Sequence, residues 1–159
     1  MLCRDKERGE AAKATIAGDV SLLLVDMSNY ESIQQLELPE VDVLVHNAGA
    51  MFDKRETVQW PQGPLDQTFA LHVAGPFLLS KKTKTQETIW VSSGGMYTSK
   101  LNVEQTLNPP EPFDGTKAYA RCKRAQVVLA TRLGHHSMHP GWTDTPGLVH
   151  AMPTFHTKT

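Results

Sequence analysis

Runs of consecutive apolar residues recur along this chain and predict its strands. They occupy residues 21–27, 41–47 and 88–92, and a fourth strand is expected at 136–139, before Pro140-Gly141. Runs of this length are typical of strands that are buried on both faces of a parallel sheet. We therefore expect buried parallel strands at these positions.

Stretches with helical spacing separate these runs. The pattern predicts helices over 5–17, 28–36, 65–82 and 116–133. Ser28 and Glu31 form a capping-box pair that predicts the second helix start, and Pro76 should kink the third helix. Residues 51–64 and 100–115 are expected to be loops, and the chain from 146 is left unassigned. Strands alternating with helices indicate an α/β fold with a parallel sheet.

Composition narrows the class of protein without naming one. The 159 residues are 40% hydrophobic and 21% charged, with a formal net charge of -1. One domain over 1–159 is expected, with no basic face for nucleic acid. The apolar runs are shorter than the ~20 residues of a membrane span, and the charged N-terminus has no signal-peptide pattern. Two cysteines, Cys3 and Cys122, make no disulfide framework and favour the cytoplasm.

Tyr119 and Lys123 stand four residues apart on the clearest predicted helix, which puts their side chains on one face. A free phenol has a pKa near ~10, and an ammonium within ~4–6 Å favours its ionised form. Such a tyrosine can pass a proton to or from a ketone or alcohol oxygen. The alternative is that Tyr119 packs in the core while Lys123 is solvated.

Further polar residues follow the predicted strands. Ser93 ends one strand, and other groups follow two more strands: Asn47, Ala48 and Gly49, and then Pro140, Gly141 and Thr145. Open α/β sheets bind ligands at the carboxyl ends of their strands. Each group taken alone is equally well explained as turn chemistry. Together, in this order, they predict one ligand site at one edge of the sheet.

In motif content and order the chain resembles the short-chain dehydrogenase/reductase (SDR) family. Four segments carry the resemblance: His46-Asn47-Ala48-Gly49, Val91-Ser92-Ser93-Gly94-Gly95-Met96, Tyr119-Ala120-Arg121-Cys122-Lys123 and Pro140-Gly141-Trp142-Thr143-Asp144-Thr145. The match covers nearly the whole chain. It implies an incomplete, Rossmann-type, doubly wound parallel sheet. Segments around Pro112–Thr116 and Met138–Gly147 are similar to one particular branch of the family.

The resemblance also implies roles for individual residues. Tyr119 would be the general acid/base, Lys123 would lower its pKa and hold the nicotinamide ribose, and Ser93 would hydrogen-bond the substrate oxygen. A cofactor-binding set would surround them: Arg4, Asp26, Asn47, Ala48, Gly49, Tyr119, Lys123, Pro140, Gly141 and Thr145. Arg4 would favour NADP(H), because a guanidinium pairs well with the 2′-phosphate; the alternative is a solvated terminal charge.

Several departures from the family pattern bear on activity. No glycine-rich phosphate turn occurs, so we expect the first strand with that turn, and the last strand, to be missing. The resulting gap would leave unpaired sheet edges. His72 stands where the family has an asparagine of its proton relay, and a core or surface histidine is the simpler interpretation. His135, His136 and His139 lack metal-like spacing, so no metal is expected.

Two hypotheses follow. The first is an NAD(P)-dependent oxidoreductase, preferring NADP(H), that transfers hydride between the cofactor and a carbonyl or secondary alcohol on a small apolar substrate. The second is a non-catalytic relic or interaction fragment of the same fold. A homo-oligomer is left open, and the substrate is not predicted.

Overall fold

The computed structural model describes residues 1–141, in which short strands alternate with helices. The strands are β1 (Leu2–Cys3), β2 (Leu23–Leu24), β3 (Val41–His46), β4 (Thr57–Trp60), β5 (Gly63–Asp66), β6 (Thr85–Val91) and β7 (His136–Met138). The helices are α1 (Lys6–Ala14), α2 (Tyr30–Gln35), α3 (Gln67–Phe69), α4 (Gly75–Lys82), α5 (Val103–Leu107) and α6 (Gly115–Leu133). Thr145 and the rest of the chain from Trp142 lie outside the described residues.

The main sheet is parallel and has the strand order β3-β6-β7, with β6 in the centre. Leu44 lies opposite Thr88 across the first pair, and Trp90 lies opposite Ser137 across the second. Strands β1 and β2 form a second parallel pair. This is the α/β, Rossmann-type parallel arrangement that the sequence predicts, in partial form.

The core lies between these strands and the helices on one side. Trp90 is fully buried, and a cluster of apolar side chains joins β2, α2, β3 and α4: Val25, Met27, Ile33, Leu36, Leu44 and Leu79. Leu2 and Leu23 pack against that cluster. The two parallel groups of strands therefore share a core although, within residues 1–141, no backbone pairing joins β1 to β3.

Strand β3 differs from its prediction as a strand buried on both faces. Leu44 and His46 are buried, but Val43 and Val45 on the other face are each 50% exposed. Strand side chains alternate between faces, and the core cluster that contains Ile33 and Leu79 covers the face of Leu44. The apolar run that predicted β3 therefore has one open face in the described residues.

Residues 51–64 were predicted to be loop, and this was wrong. They include β4 and the first half of β5, which form an antiparallel hairpin with Trp60 paired to Gly63. Gly63 has φ +114°, which an L side chain rarely adopts, so a glycine suits this turn. Trp60 Nε1 donates to the carbonyl of Ser28 at 3.0 Å and thereby ties the hairpin to the α2 region.

The predicted capping box at Ser28 was also wrong. The N-cap of α2 is Asn29, whose side chain accepts from the Ser32 amide at 2.9 Å. The Ser28 hydroxyl instead donates to the Asp26 carboxylate at 2.7 Å. A hydrogen bond from a hydroxyl to a carboxylate is stronger than one that the hydroxyl accepts from a neutral backbone amide. The Ser28 hydroxyl therefore bonds to Asp26 and does not cap the helix.

The helix predicted over 65–82 begins later and changes its winding. Asp66 caps α3 by accepting from the amides of Thr68 and Phe69, and a π-helical segment, Ala70–Ala74, joins α3 to α4. Pro76 is the second residue of α4 and lies two positions after the end of that segment. Proline lacks an amide hydrogen and disturbs the preceding turn, and here the helix continues through a π turn.

The longest helix, α6, matches its prediction, but its buried face is more polar than expected. Asp114 caps its start by accepting from the Lys117 amide at 3.0 Å, and Gly134 (φ +71°) ends it. Ala118 and Cys122 are buried as predicted, and so are Lys123 and Gln126. No helix within residues 1–141 is both long enough and apolar enough to cross a membrane.

The cap assignment can be tested by substitution. Asn29→Ala should lower the free energy of unfolding by about 1 kcal/mol, because it leaves the Ser32 amide without its partner. Asn29→Asp retains a capping oxygen and should stay close to wild type. Urea unfolding at pH 7 measures both variants, and equal losses would contradict the assignment.

Candidate active site

The end of β6 and one face of α6 bring three sequence-predicted side chains together. Lys123 is 3% exposed, and its Nζ donates to the Val91 carbonyl at 2.8 Å. The same ammonium lies 5.4 Å from the centre of the Tyr119 ring. The Ser93 side chain is close enough to the Tyr119 phenol to act against the rise of its pKa. A hydroxyl, a phenol and an ammonium thus form one cluster at the carboxyl end of a central strand.

Local contacts set the position of α6 against β6. The Ser92 hydroxyl donates to the Lys123 carbonyl at 2.9 Å, so strand and helix are joined beside the cluster. At the helix start, a Cβ on Gly115 would lie 1.9 Å from the Phe52 carbonyl oxygen, so only glycine permits this approach. Ser93 itself caps the 3₁₀ turn Gly94–Thr98 by accepting from the Gly95 amide at 3.2 Å.

Burial dominates the electrostatics of the cluster. It lowers the pKa of Lys123 from 10.5 to about 8, because a buried ammonium loses hydration. Burial also raises the pKa of Tyr119, and the Ser93 side chain opposes that rise. The sequence predicted that Lys123 would lower the phenol pKa. In the structure the pKa of the Tyr119 phenol is raised instead, because desolvation of the phenolate outweighs the lowering effect of Ser93.

The turn after β3 lies against this cluster. Asn47, Ala48 and Gly49 are all exposed. A Cβ on Gly49 would lie 3.0 Å from His72 Nε2 and 3.7 Å from Lys123 Nζ. Glycine therefore lets the turn approach both side chains, and the turn offers an exposed backbone surface next to Lys123.

His72 is a core histidine, in line with the simpler interpretation, and it also contacts this cluster. It is fully buried, and its ring packs edge-on against that of Tyr119 with centroids 5.3 Å apart. Burial and the charge of Lys123 lower its pKa from 6.5 to about 3, against a raising effect of its bond to Thr68. His72 is therefore neutral at physiological pH.

The other predicted cofactor residues follow β1, β2 and β7. Arg4 is exposed just after β1, and Asp26 follows β2 with its carboxylate accepting from both the amide and the hydroxyl of Ser28. Pro140 and Gly141 are exposed after β7, where the Gly141 amide donates to His139 Nδ1 at 2.8 Å. Thr145 lies outside the described residues.

Gln126 is a residue of this region that sequence reasoning missed. It is fully buried one turn beyond Lys123, and its Nε2 donates to the His72 carbonyl at 2.7 Å. Its spacing of three residues from Lys123 placed it on the same helix face. The sequence signal that could have identified Gln126 was a polar residue on a helix face otherwise assigned to the core.

The fold and this cluster are those of a Rossmann-type protein with a serine, a tyrosine and a lysine at the strand ends. In sequence the chain is similar to members of the short-chain dehydrogenase/reductase family over 99% of its length. It is 37% identical, over an alignment of 182 positions, to "Dehydrogenase/reductase SDR family member 12" of Homo sapiens and of Bos taurus. Each alignment covers 99% of this chain and 56% of the relative. The chain thus spans little more than half the length of these curated relatives, which represent the branch that its sequence resembles. No family model matches the chain.

Solved structures share the fold at lower identity. An uncharacterised protein from Mycobacterium Paratuberculosis has a TM-score of 0.72 at 24% identity, over 91% of this chain and 59% of that one. A "short chain dehydrogenase/reductase family protein" has a TM-score of 0.66 at 23% identity, over 96% and 67%. A serine dehydrogenase complexed with NADP+ has a TM-score of 0.57 at 16% identity, over 83% and 53%.

Acid should destabilise the fold through its buried histidines. The pKa of His72 is about 3 when folded and near 6.5 when unfolded, so between these values only the unfolded chain takes up the proton. Stability is therefore full above pH 6.5 and falls as the pH drops below it, by roughly 2 kcal/mol at pH 5 for this one group. His46, with its pKa lowered to about 4, acts in the same direction.

Substitution isolates the share of His72. Urea unfolding of His72→Asn, compared between pH 7.5 and pH 5, should show a loss smaller than wild type by about that amount. His136→Asn is the control, because His136 is an exposed histidine paired with Glu87. If wild type and His72→Asn lose the same free energy of unfolding between pH 7.5 and pH 5, His72 is not a buried histidine that stays neutral in the folded protein.

Proposed function

We propose that this protein is an NAD(P)-dependent oxidoreductase that prefers NADP(H). It would transfer hydride between the cofactor and a carbonyl or secondary alcohol on a small apolar substrate. Residues 1–159 would form a single, incomplete NAD(P)-binding domain. The observation that carries the proposal is the cluster of Ser93, Tyr119 and Lys123 at the carboxyl end of β6, where open α/β sheets bind ligands.

Tyr119 is the group that would move the proton. During reduction of a ketone, its phenol would donate the O–H proton to the carbonyl oxygen as that oxygen gains negative charge, and alcohol oxidation reverses this step. Ser93 would donate a hydrogen bond to the same oxygen and hold it beside the phenol. The bound nicotinamide would supply or accept the hydride.

Lys123 would act on both the cofactor and the phenol. One of its three N–H groups bonds to Val91, which fixes the ammonium, and the other two would donate to acceptors such as ribose hydroxyls. Gly49 adds no side chain beside His72 and Lys123, so that a flat ring system could lie against the turn at this point. These features suit a nicotinamide ribose.

Arg4 supports the preference for NADP(H). Its side chain is exposed just beyond β1, and a guanidinium pairs with a phosphate in two parallel hydrogen bonds. Cys3 and Cys122 are unpaired, which suits a reducing compartment, and we propose the cytoplasm.

A non-catalytic interaction fragment is the second candidate. The observation that favours it is the open side of β3, whose Val43 and Val45 are half exposed and whose outer edge is unpaired within residues 1–141. Unpaired parallel edges with apolar residues readily bind another chain. The chain also lacks a glycine-rich phosphate turn.

A titration with NADPH separates these candidates. The folded protein should quench or enhance cofactor fluorescence saturably, and Lys123→Ala should weaken binding by about tenfold or more, because it removes the buried ammonium. Lys117→Ala is the matched control, since Lys117 is an exposed lysine on the same helix. No binding at millimolar NADPH, by a chain folded according to circular dichroism, would reject the oxidoreductase.

The cofactor preference has its own test. Arg4→Ala should raise the Kd for NADPH by about fivefold or more and leave the Kd for NADH unchanged, because only NADPH carries the 2′-phosphate. Arg8→Ala, which removes an exposed arginine from α1, provides the charge control. A loss shared equally by both cofactors would mean that Arg4 does not bind the 2′-phosphate.

A further inference from the structure

The His72 carbonyl occupies an unusual place in its helix. In an α-helix it would accept from the amide of residue 76, but residue 76 is proline and has no N–H. The π-helical segment Ala70–Ala74 surrounds this carbonyl. Gln126, from the middle of α6, donates to it through Nε2 at 2.7 Å. A side chain from another helix thus supplies a donor that Pro76 cannot supply.

The orientation of the Gln126 amide is settled by this contact. If the amide were turned over, Oε1 would face the His72 carbonyl, and two acceptors would repel each other. In the orientation observed, Oε1 is buried and has no hydrogen-bond partner among the described residues. A buried acceptor without a partner destabilises a fold, so stability alone does not explain a glutamine here.

The imidazole of His72 connects the Gln126 contact to the turn that follows β3. Its Nδ1 lies 2.8 Å from the Thr68 carbonyl, which can only accept, so Nδ1 bears the hydrogen. Its Nε2 therefore has a free lone pair and accepts from the Ala50 amide at 3.3 Å. Ala50 directly follows the turn at 47–49, so a neutral His72 holds that turn beside Lys123.

We infer that Gln126 is a positioning residue for the cofactor turn. By holding the His72 carbonyl, it sets the His72 ring where Nε2 accepts the Ala50 amide, and the turn at 47–49 is thereby placed next to Lys123. The link to cofactor binding rests on the proposed function. The link from Gln126 to the Ala50 amide does not.

The test uses Gln126→Met, which keeps the length of the side chain and removes the donor. Hydrogen exchange of the Ala50 amide should accelerate, and the Kd for NADPH should rise, each by about tenfold. The midpoint of urea unfolding should stay near wild type, since the unpartnered Oε1 is removed as well. Thr106→Val is the control, because it removes a buried hydroxyl from α5, away from the cluster.

Gln126→Glu provides an independent arm. Its carboxyl can donate to the His72 carbonyl only while protonated, so its Ala50 exchange, relative to wild type, should quicken as the pH rises through the carboxyl pKa. Gln126→Met should show no such dependence. A purely structural role would not produce this difference in pH profile.

The outcomes are separable. Ala50 exchange in Gln126→Met that matches Thr106→Val would overturn the inference, and so would a wild-type His72 with hydrogen on Nε2 by ¹⁵N NMR. Failure of both Gln126 variants to fold would make the residue structural and would likewise overturn it. If the wild type does not bind NADPH, the proposed function fails, while the exchange measurements still decide the role of Gln126.

Discussion

The buried ammonium of Lys123 is the constraint around which the site is organised. Removing an ammonium from water is costly unless hydrogen bonds replace its hydration, and the Val91 carbonyl provides one of these bonds. Two residues later Ser93 meets Tyr119, and the Ser92 hydroxyl returns to the Lys123 carbonyl. The need to satisfy one buried charge therefore fixes the position of α6 along β6. With that position set, the serine and the tyrosine come into contact.

The same burial explains why the electrostatics differ from a simple pairing of lysine and tyrosine. An ammonium in water would favour the phenolate, but here both groups are partly removed from solvent. Desolvation then disfavours both charged forms, lowering the lysine pKa and raising that of the phenol. The folded chain holds its proton on Tyr119, which is the form needed to donate to a carbonyl oxygen. A polar ligand bound in the site would make hydrogen bonds to the Tyr119 phenol and the Lys123 ammonium, in place of the water that burial removes.

Some of this architecture was predictable from sequence and some was not, for identifiable reasons. Helix α6 was predicted because its spacing is local and its cap Asp114 is strong, and β3 and β6 were predicted from apolar runs. The β4–β5 hairpin was missed because proline and glycine at its turn resemble loop residues, although Trp60 supplies the anchor. Ser28 was assigned as a cap because the capping pattern does not show that its hydroxyl donates to the Asp26 carboxylate instead.

The site shows the same division. Tyr119 and Lys123 share a helix face that spacing alone reveals, whereas the contacts of His72 join elements that are distant along the chain. Its ring meets Thr68 in its own helix and Ala50 after β3, while its carbonyl meets Gln126 on α6. No local pattern predicts such a set of contacts. Pro76 was interpreted as a kink, and its effect is to leave a carbonyl needing a donor.

The open side of β3 limits what the described residues can do alone. Parallel strands are ordinarily covered on both faces, and here Val43 and Val45 remain half exposed while Leu44 is buried. The contacts that build the cluster lie at the end of β6, on α6 and in the π-helical segment Ala70–Ala74. The geometry of Ser93, Tyr119 and Lys123 therefore does not depend on what lies against the open face. Cofactor affinity would be different, because a nucleotide held as proposed by Lys123 and by Arg4 after β1 would have to cross the interval in which β3 and β1 are unpaired within residues 1–141.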